Sequence, residues 1–328
     1  MSKQQKPFLT NRKYGDLMAT LKEIRNHIES IRETQKITNA MYLIASAKLR
    51  HAKSELDQTK PYFAALRSEI KRIFRTDEKV NSRYFYPLDI EPKLNGTYAY
   101  LVITADKGLA GAYNQNVIEE TTRMLKEHGD AKLFVVGEYG RQYFLSHNIP
   151  IEQSFHYTAQ NPIFERAREI SSVLLDFFDR GEIQKLFVVY TDFENGLSIK
   201  AKATRLLPFH RADFAYHEGE KAVSVPFEFQ PSIVAVLENM IPSYVAGFIY
   251  SALVDSFCCE QNARMTAMDS ANRNAEELLD ALSREYHQTR QKIITQEITE
   301  IASGAKYQTI QKQKKESQGN GLAGTNER

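Results

Sequence analysis

"EIRNHIESIRETQKITNAMYLIASAKLRHAK", residues 23–53, decides the fold. From Ile24 onward, Ile28, Ile31, Gln35, Thr38, Tyr42, Ala45, Leu49, Ala52 and Leu56 step alternately by four and three. That is the period of a helix holding one seam against a second helix. It predicts a helix over residues 21–72, roughly 75 Å long at 1.5 Å per residue. A compact domain has no use for such a rod. The first proline in it is Pro61, where Thr59 reads as the cap of a restarted helix.

The other end of the chain repeats the signal. Val254, Cys258, Gln261, Met265, Met268, Asn272, Ala275, Leu279, Leu282, Tyr286, Thr289 and Ile293 follow the same alternation. A second rod over residues 243–302, starting after Pro242, would be about 90 Å long. The two rods carry opposite charge. Residues 21–72 hold 11 Lys/Arg against 6 Asp/Glu, and residues 243–303 hold 5 against 9. Net charges of +5 and −4 favour pairing with each other over self-pairing. An intramolecular antiparallel coiled coil is the economical reading, with separate helices of a globular bundle as the alternative. Gln35, Thr38, Gln261, Asn272 and Thr289 are polar at seam positions. They are too many to serve register alone, and they read as a rod partly sheathed by a partner.

Between the rods the period changes. Residues 97–105, 131–137 and 185–193 read as buried strands, with helices over 116–128, 138–146 and 163–180. Alternating strands and helices predict a mostly parallel sheet with helices on its faces. Residues 198–209 alternate strictly and read as an edge strand. "DKGLAG" offers Gly108 and Gly111 but neither GxGxxG spacing nor a GKS or GKT ending, and Lys107 precedes the first glycine. A tight turn that needs glycine freedom is the better reading. Nothing in the chain reads as a catalytic, cofactor-binding or metal-ligating set. The eight histidines are scattered, and no GxSxG elbow appears. His210, Asp213, His217, Glu218 and Glu220 form the only local cluster suggesting a metal, and they read as a solvated connection.

Composition bounds the class. The 328 residues are 42% hydrophobic and 26% charged, and a net charge of +2 argues neither for nor against nucleic acid as a partner; none is expected. The longest apolar runs, such as 187–190 and 233–237, read as too short to cross a bilayer. No signal-peptide core opens the chain. Cys258 and Cys259 are adjacent, a poor geometry for a structural disulfide, which fits a reducing cytoplasm.

Three motifs carry a resemblance: residues 23–53 above, "TADKGLAGAYN" after the first strand, and "EQNARMTAMDSANRNAEELL" followed by "YHQTRQKIITQEITEIASGA" near the end. In order and spacing over about residues 21–305 they resemble the gamma subunit of F-type ATP synthases. The resemblance implies an α/β fold with a long antiparallel coiled coil. Its parts are an extension (1–20), an N-terminal coiled-coil helix (21–75), a Rossmann-like domain without nucleotide (76–240), a C-terminal coiled-coil helix (241–304) and a polar, disordered tail (305–328). It implies a non-catalytic rotary shaft that couples rotation of a membrane c-ring to conformational change at the catalytic beta subunits. The implied partners are the alpha and beta subunits, the epsilon subunit and the c-ring, at the cytoplasmic face of the cell membrane. By the same resemblance, Glu260, Gln261 and Arg264 engage loops of beta subunits, Arg290, Gln291, Thr295 and Glu297 form a second contact zone, and Met41 faces the lever through which torque passes.

The chain departs from the family pattern at Asn39, Ala110 and Gln230–Pro231, where lysine, cysteine and Glu-Pro are usual. The last departure bears on the ring contact. Three alternatives remain: a diverged gamma-like paralogue in a non-standard rotary ATPase, a free-standing enzyme with a coiled-coil arm, and a scaffold that binds nucleic acid or acidic surfaces through its basic tail.

Overall fold

The first helix, α1 (Lys6–Thr76), runs unbroken through Pro61. The structure, a computed structural model, describes residues 6–76, 80, 82–86, 96–129, 131–193, 200–214 and 228–320, with backbone only for 6–16, 75–76 and 314–320. Instead of capping a new helix, the Thr59 hydroxyl donates back to the carbonyls of Glu55 (3.2 Å) and Leu56 (3.0 Å), as a helix-interior threonine does. Pro61 removes one backbone donor from a solvent-facing position, and the helix tolerates the loss there.

The last helix differs more from expectation. It begins before Ser243 and carries Pro242 inside it, and it continues well past Ala302. The tail expected to be disordered from residue 305 is helical to Asn320, and residues 321–328 lie outside the described residues. Residues 305–313 hold neither glycine nor proline, and local bonds support the turn there. Gln311 Nε2 donates to the Tyr307 hydroxyl at 2.9 Å, and Thr309 Oγ1 to the Ala305 carbonyl at 3.0 Å. The leading extension is likewise helical from Lys6, and residues 1–5 lie outside the described residues.

The chain forms two units, one of residues 1–39 with 270–328 and one of residues 40–269. In the first, the two terminal helical segments pair antiparallel along the expected seam. Leu17, Leu21, Ile24, Ile28, Ile31, Gln35 and Thr38 are all less exposed than the residues between them. Asn272, Ala275, Leu279, Leu282, Tyr286, Thr289 and Ile293 are likewise withdrawn from solvent. Three of the polar seam residues, Gln35, Thr38 and Asn272, find partners on the facing helix. Gln35 Nε2 donates to Glu276 Oε1 at 3.4 Å, and the Thr38 hydroxyl bonds Asn272 Oδ1. Those groups are answered inside the chain, so no external partner is needed to explain them.

The second unit is built on a four-stranded sheet in the order β2-β1-β3-β4. Strands β1 (Tyr98–Ile103), β2 (Ala131–Val136) and β3 (Lys185–Thr191) are parallel, and β4 (Ala201–Leu207) is the antiparallel edge. Helices α2 (Tyr113–Glu127), α3 (Glu138–Ser146) and α4 (Phe164–Asp179) connect the parallel strands. Every residue of β1 is buried, because alternate side chains enter different cores. Tyr98, Tyr100 and Val102 pack with Val117 and Ile118 of α2. Ala99, Leu101 and Ile103 pack in the core that holds Ile170 and Leu174 of α4 and the first turns of α5 (Ile233–Asn320).

Those first turns correct the reading of apolar length. Helix α5 holds an 18-residue window of mean hydropathy 1.4, long and apolar enough to cross a membrane by composition. The window was missed because the apolar residues are interspersed and not contiguous. Here Leu237, Ile241, Val245, Ile249, Leu253 and Phe257 recur every fourth residue and are buried in the sheet's core. Full burial of such side chains contributes about 1.5–3 kcal/mol each. Gly247 lets α1 pass closely: a Cβ there would lie 2.1 Å from Cδ1 of Phe63. Cys258 and Cys259 are both free and buried. Burial pushes the Cys258 thiol up to about 12 and raises that of Cys259 further.

Candidate functional site

In open α/β sheets, ligands bind beyond the carboxyl ends of the strands, where strand order reverses. Here the chain packs on itself beyond the carboxyl ends of β1 and β2. Asp106 follows β1, and its Oδ1 accepts the backbone N–H of Glu138 at 3.0 Å, in the first turn of α3. Its Oδ2 accepts the N–H groups of Ala159 and Gln160, each at 3.2 Å, and the Thr158 hydroxyl. A helix N-terminus with converging N–H groups is where a phosphate would sit, and a resident carboxylate takes that place. On the other flank Asn114 Oδ1 accepts the Ala105 N–H at 2.9 Å, and the Tyr113 hydroxyl reaches the Ile103 carbonyl at 3.4 Å.

The glycine loop is a tight turn, as its spacing predicts, with Leu109 at φ +61° and Gly111 at φ +53°. Arg264 holds it to α5. One guanidinium nitrogen donates to the carbonyls of Gly108 (3.1 Å) and Lys107 (3.4 Å), and another pairs with Glu260 at 2.6 Å. Glu260 and Arg264 are 4% and 9% exposed, and Gln261 is 3% exposed. Burial raises the Glu260 carboxyl above its ordinary range, against the opposing pull of the Arg264 guanidinium. All three residues are therefore buried within the isolated chain, with Glu260 and Arg264 packed against the turn.

The second zone is different. Arg290, Gln291, Thr295 and Glu297 are all exposed on α5. The Thr295 hydroxyl donates to the Gln291 carbonyl at 2.8 Å, and Gln296 bonds Glu300 at 2.9 Å. Between these polar groups runs an apolar row outside the motif's polar positions. Ile294, Ile298 and Ile301 stand on one helix face at 42%, 62% and 73% exposure. By helical angle, Arg290 and Glu297 border this row on one side, and Gln291 and Thr295 on the other. The clue lay in the four-and-three spacing one residue off the seam. Met41 is half-buried, beside seam residue Tyr42.

Among the described residues, no group of three or more His, Cys, Asp or Glu could hold a metal ion. Asp213 instead accepts the His210 backbone N–H at 3.1 Å, and the His210 ring stacks on Tyr86. His217, Glu218 and Glu220 lie outside the described residues.

The ATP synthase family model matches residues 20–306. The ATP synthase gamma chain of Acetivibrio thermocellus is 40% identical over 293 residues, covering 88% of this chain and 99% of that protein. That of Ruminiclostridium cellulolyticum is 38% identical over 291 residues, covering 87% and 97%. Among solved structures, a chain of the Tetrahymena thermophila mitochondrial ATP synthase central stalk and c-ring superposes with a TM-score of 0.53 at 23% identity, over 72% of this chain and 99% of that one. A chain of the Euglena gracilis mitochondrial ATP synthase superposes at 0.58 and 16% identity, over 90% and 96%. These two share its fold. A family match over most of its length, and relatives aligned nearly end to end, place the chain in the ATP synthase gamma chain family.

Proposed function

We infer that this chain is the central rotary shaft of an F-type ATP synthase. It couples ion-driven rotation of a membrane c-ring to conformational change at catalytic beta subunits, for synthesis or hydrolysis of ATP. The observation that carries this is the exposed isoleucine row on α5, bordered by Arg290, Gln291, Thr295 and Glu297. A helix with a seam on one face and an exposed apolar row about 100° around from it is shaped to turn against surrounding subunits. The shaft itself carries no chemistry; catalysis belongs to the beta subunits. Its work is a difference in contact energy between open and closed beta conformations, about 1.4 kcal/mol for each tenfold shift in their populations.

The partner contacts divide in two. Arg290, Gln291, Thr295, Glu297 and Met41 meet alpha and beta subunits directly. Arg264, paired with Glu260, holds the turn at residues 107–111 in place for a beta-subunit loop, and Gln261 is buried beside them on α5. The α/β unit meets the epsilon subunit and the c-ring, at the cytoplasmic face of the cell membrane.

Co-expression with the cognate alpha and beta subunits tests the reading. A stable complex of three alpha, three beta and one copy of this chain that hydrolyses ATP is the expected result. A chain that stays apart from both subunits, or that turns over ATP alone, would overturn it.

A further inference from the structure

Three non-glycine residues among those described take a positive φ: Leu109 at +61°, Asn148 at +56° and Asn161 at +45°. Asparagine tolerates that region, because its short polar side chain can bond locally. Leucine gains nothing of the kind, and its Cβ crowds the following carbonyl. Leu109 is also 66% exposed, so little burial offsets the strained backbone. A lone exposed leucine is ordinary on a protein surface. One held in the left-handed region is not. Glycine or asparagine at this position would relieve the backbone and remove an apolar side chain from water at once.

The chain is fixed on both sides of this residue. Before it, the carbonyls of Lys107 and Gly108 accept bonds from the Arg264 guanidinium. After it, Ala110 is buried, and its carbonyl accepts the Tyr113 N–H at 3.2 Å. Asn114, in the first turn of α2, ties back to Ala105, and Asp106 ties the end of β1 to α3. A rigid turn thus presents one apolar side chain outward in one place. Such a side chain binds with little further loss of conformational freedom.

We propose that Leu109 is an apolar anchor that seats in an apolar socket of a beta subunit, and that the turn keeps its strain for that contact. The anchor rests on the shaft reading above, which sets this turn against a beta-subunit loop. The geometry adds which side chain makes the contact. Arg264 and Glu260, buried on α5, are then positioning residues for it. One copy of the chain offers one such tip, so at each rotational position it biases one beta subunit and leaves the others.

Stability and function should move in opposite directions. In calorimetry of the isolated chain, Leu109→Gly and Leu109→Asn are each expected to raise the melting temperature by about 2–4 °C. In the complete cognate complex in vesicles, the same two variants should lower ATP-driven ion pumping by roughly threefold or more. Leu109→Met, which stays apolar and strained, should melt no higher and keep most of the pumping that Leu109→Asn loses. Gly and Asn variants that pump like the wild type would overturn the anchor. Variants that melt no higher than the wild type would overturn the strain. An equal loss in Leu109→Met and Leu109→Asn would assign the effect to the turn's backbone and overturn the anchor as well. A wild-type chain that joins no complex with its alpha and beta subunits would sink the shaft reading and the anchor together, whereas wild-type pumping beside unaffected variants removes the anchor alone.

Discussion

Asp106 accepts from three backbone N–H groups and one hydroxyl, tying α3 to the turn at residues 158–160. Asp106→Ala is expected to lower unfolding free energy by about 2–4 kcal/mol, since a charged acceptor leaves several donors unanswered. Asp106→Asn, which keeps one acceptor oxygen, should lose less, and equal losses in chemical denaturation would argue against the bonding described. Glu260 gives a pH dependence. Its carboxyl is raised above 4.5, mainly by desolvation. The native state thus binds that proton more tightly than the unfolded chain. The associated stabilisation is complete below the ordinary carboxylate range and is lost as pH rises through the folded value. Glu260→Gln does not titrate, so wild-type stability relative to this variant should fall from acid toward neutral pH. A difference that grows with pH in denaturant midpoints would reverse the assignment. Neither role was legible in the sequence. A polar residue in a recognisable motif reads as a contact, and only the fold shows that β1, α3 and α5 converge on it.

At the scale of elements, the seam was legible residue by residue, because heptad spacing is local and fixes which side chains leave water. The elements of the sheet were legible for the same reason. Helix ends were not. Threonine and proline at 59 and 61 carry a start signal that the continuing seam on either side overrides, and α5 starts before Pro242 because Leu237 and Ile241 have a core to enter. Two predictions belong here. Thr38→Val combined with Asn272→Leu is expected to raise stability by about 1–2 kcal/mol, because a polar seam pair costs more than an apolar one. Thr38→Val alone should destabilise by leaving Asn272 unanswered, and a thermal double-mutant cycle checks both. Gly247→Ala drives a methyl into the Phe63 ring and is expected to cost about 1–3 kcal/mol. Phe63→Ala in the same chain should recover part of that loss.

For the molecule as a whole, family and architecture could be read from motifs near both ends and the change of period between them. The proposed partner surface could be read only in part. Its charged border belongs to a recognisable motif, whereas the isoleucine row shows only once the seam is known to face about 100° away. Arg290→Ala with Glu297→Ala in the assembled complex is expected to reduce ATP-driven ion pumping several-fold, with no change in the melting of the isolated chain. Unchanged pumping would remove both residues from the contact set. The two cysteines have a practical consequence. Thiols that are buried and held near or above pH 12 remain protonated in neutral buffer, and protonated thiols react slowly with maleimides. The folded chain is therefore its own cysteine-silent background. A dye or bead attached through a single cysteine introduced on the exposed face of α5 would report rotation of the native sequence, with neither Cys258 nor Cys259 removed.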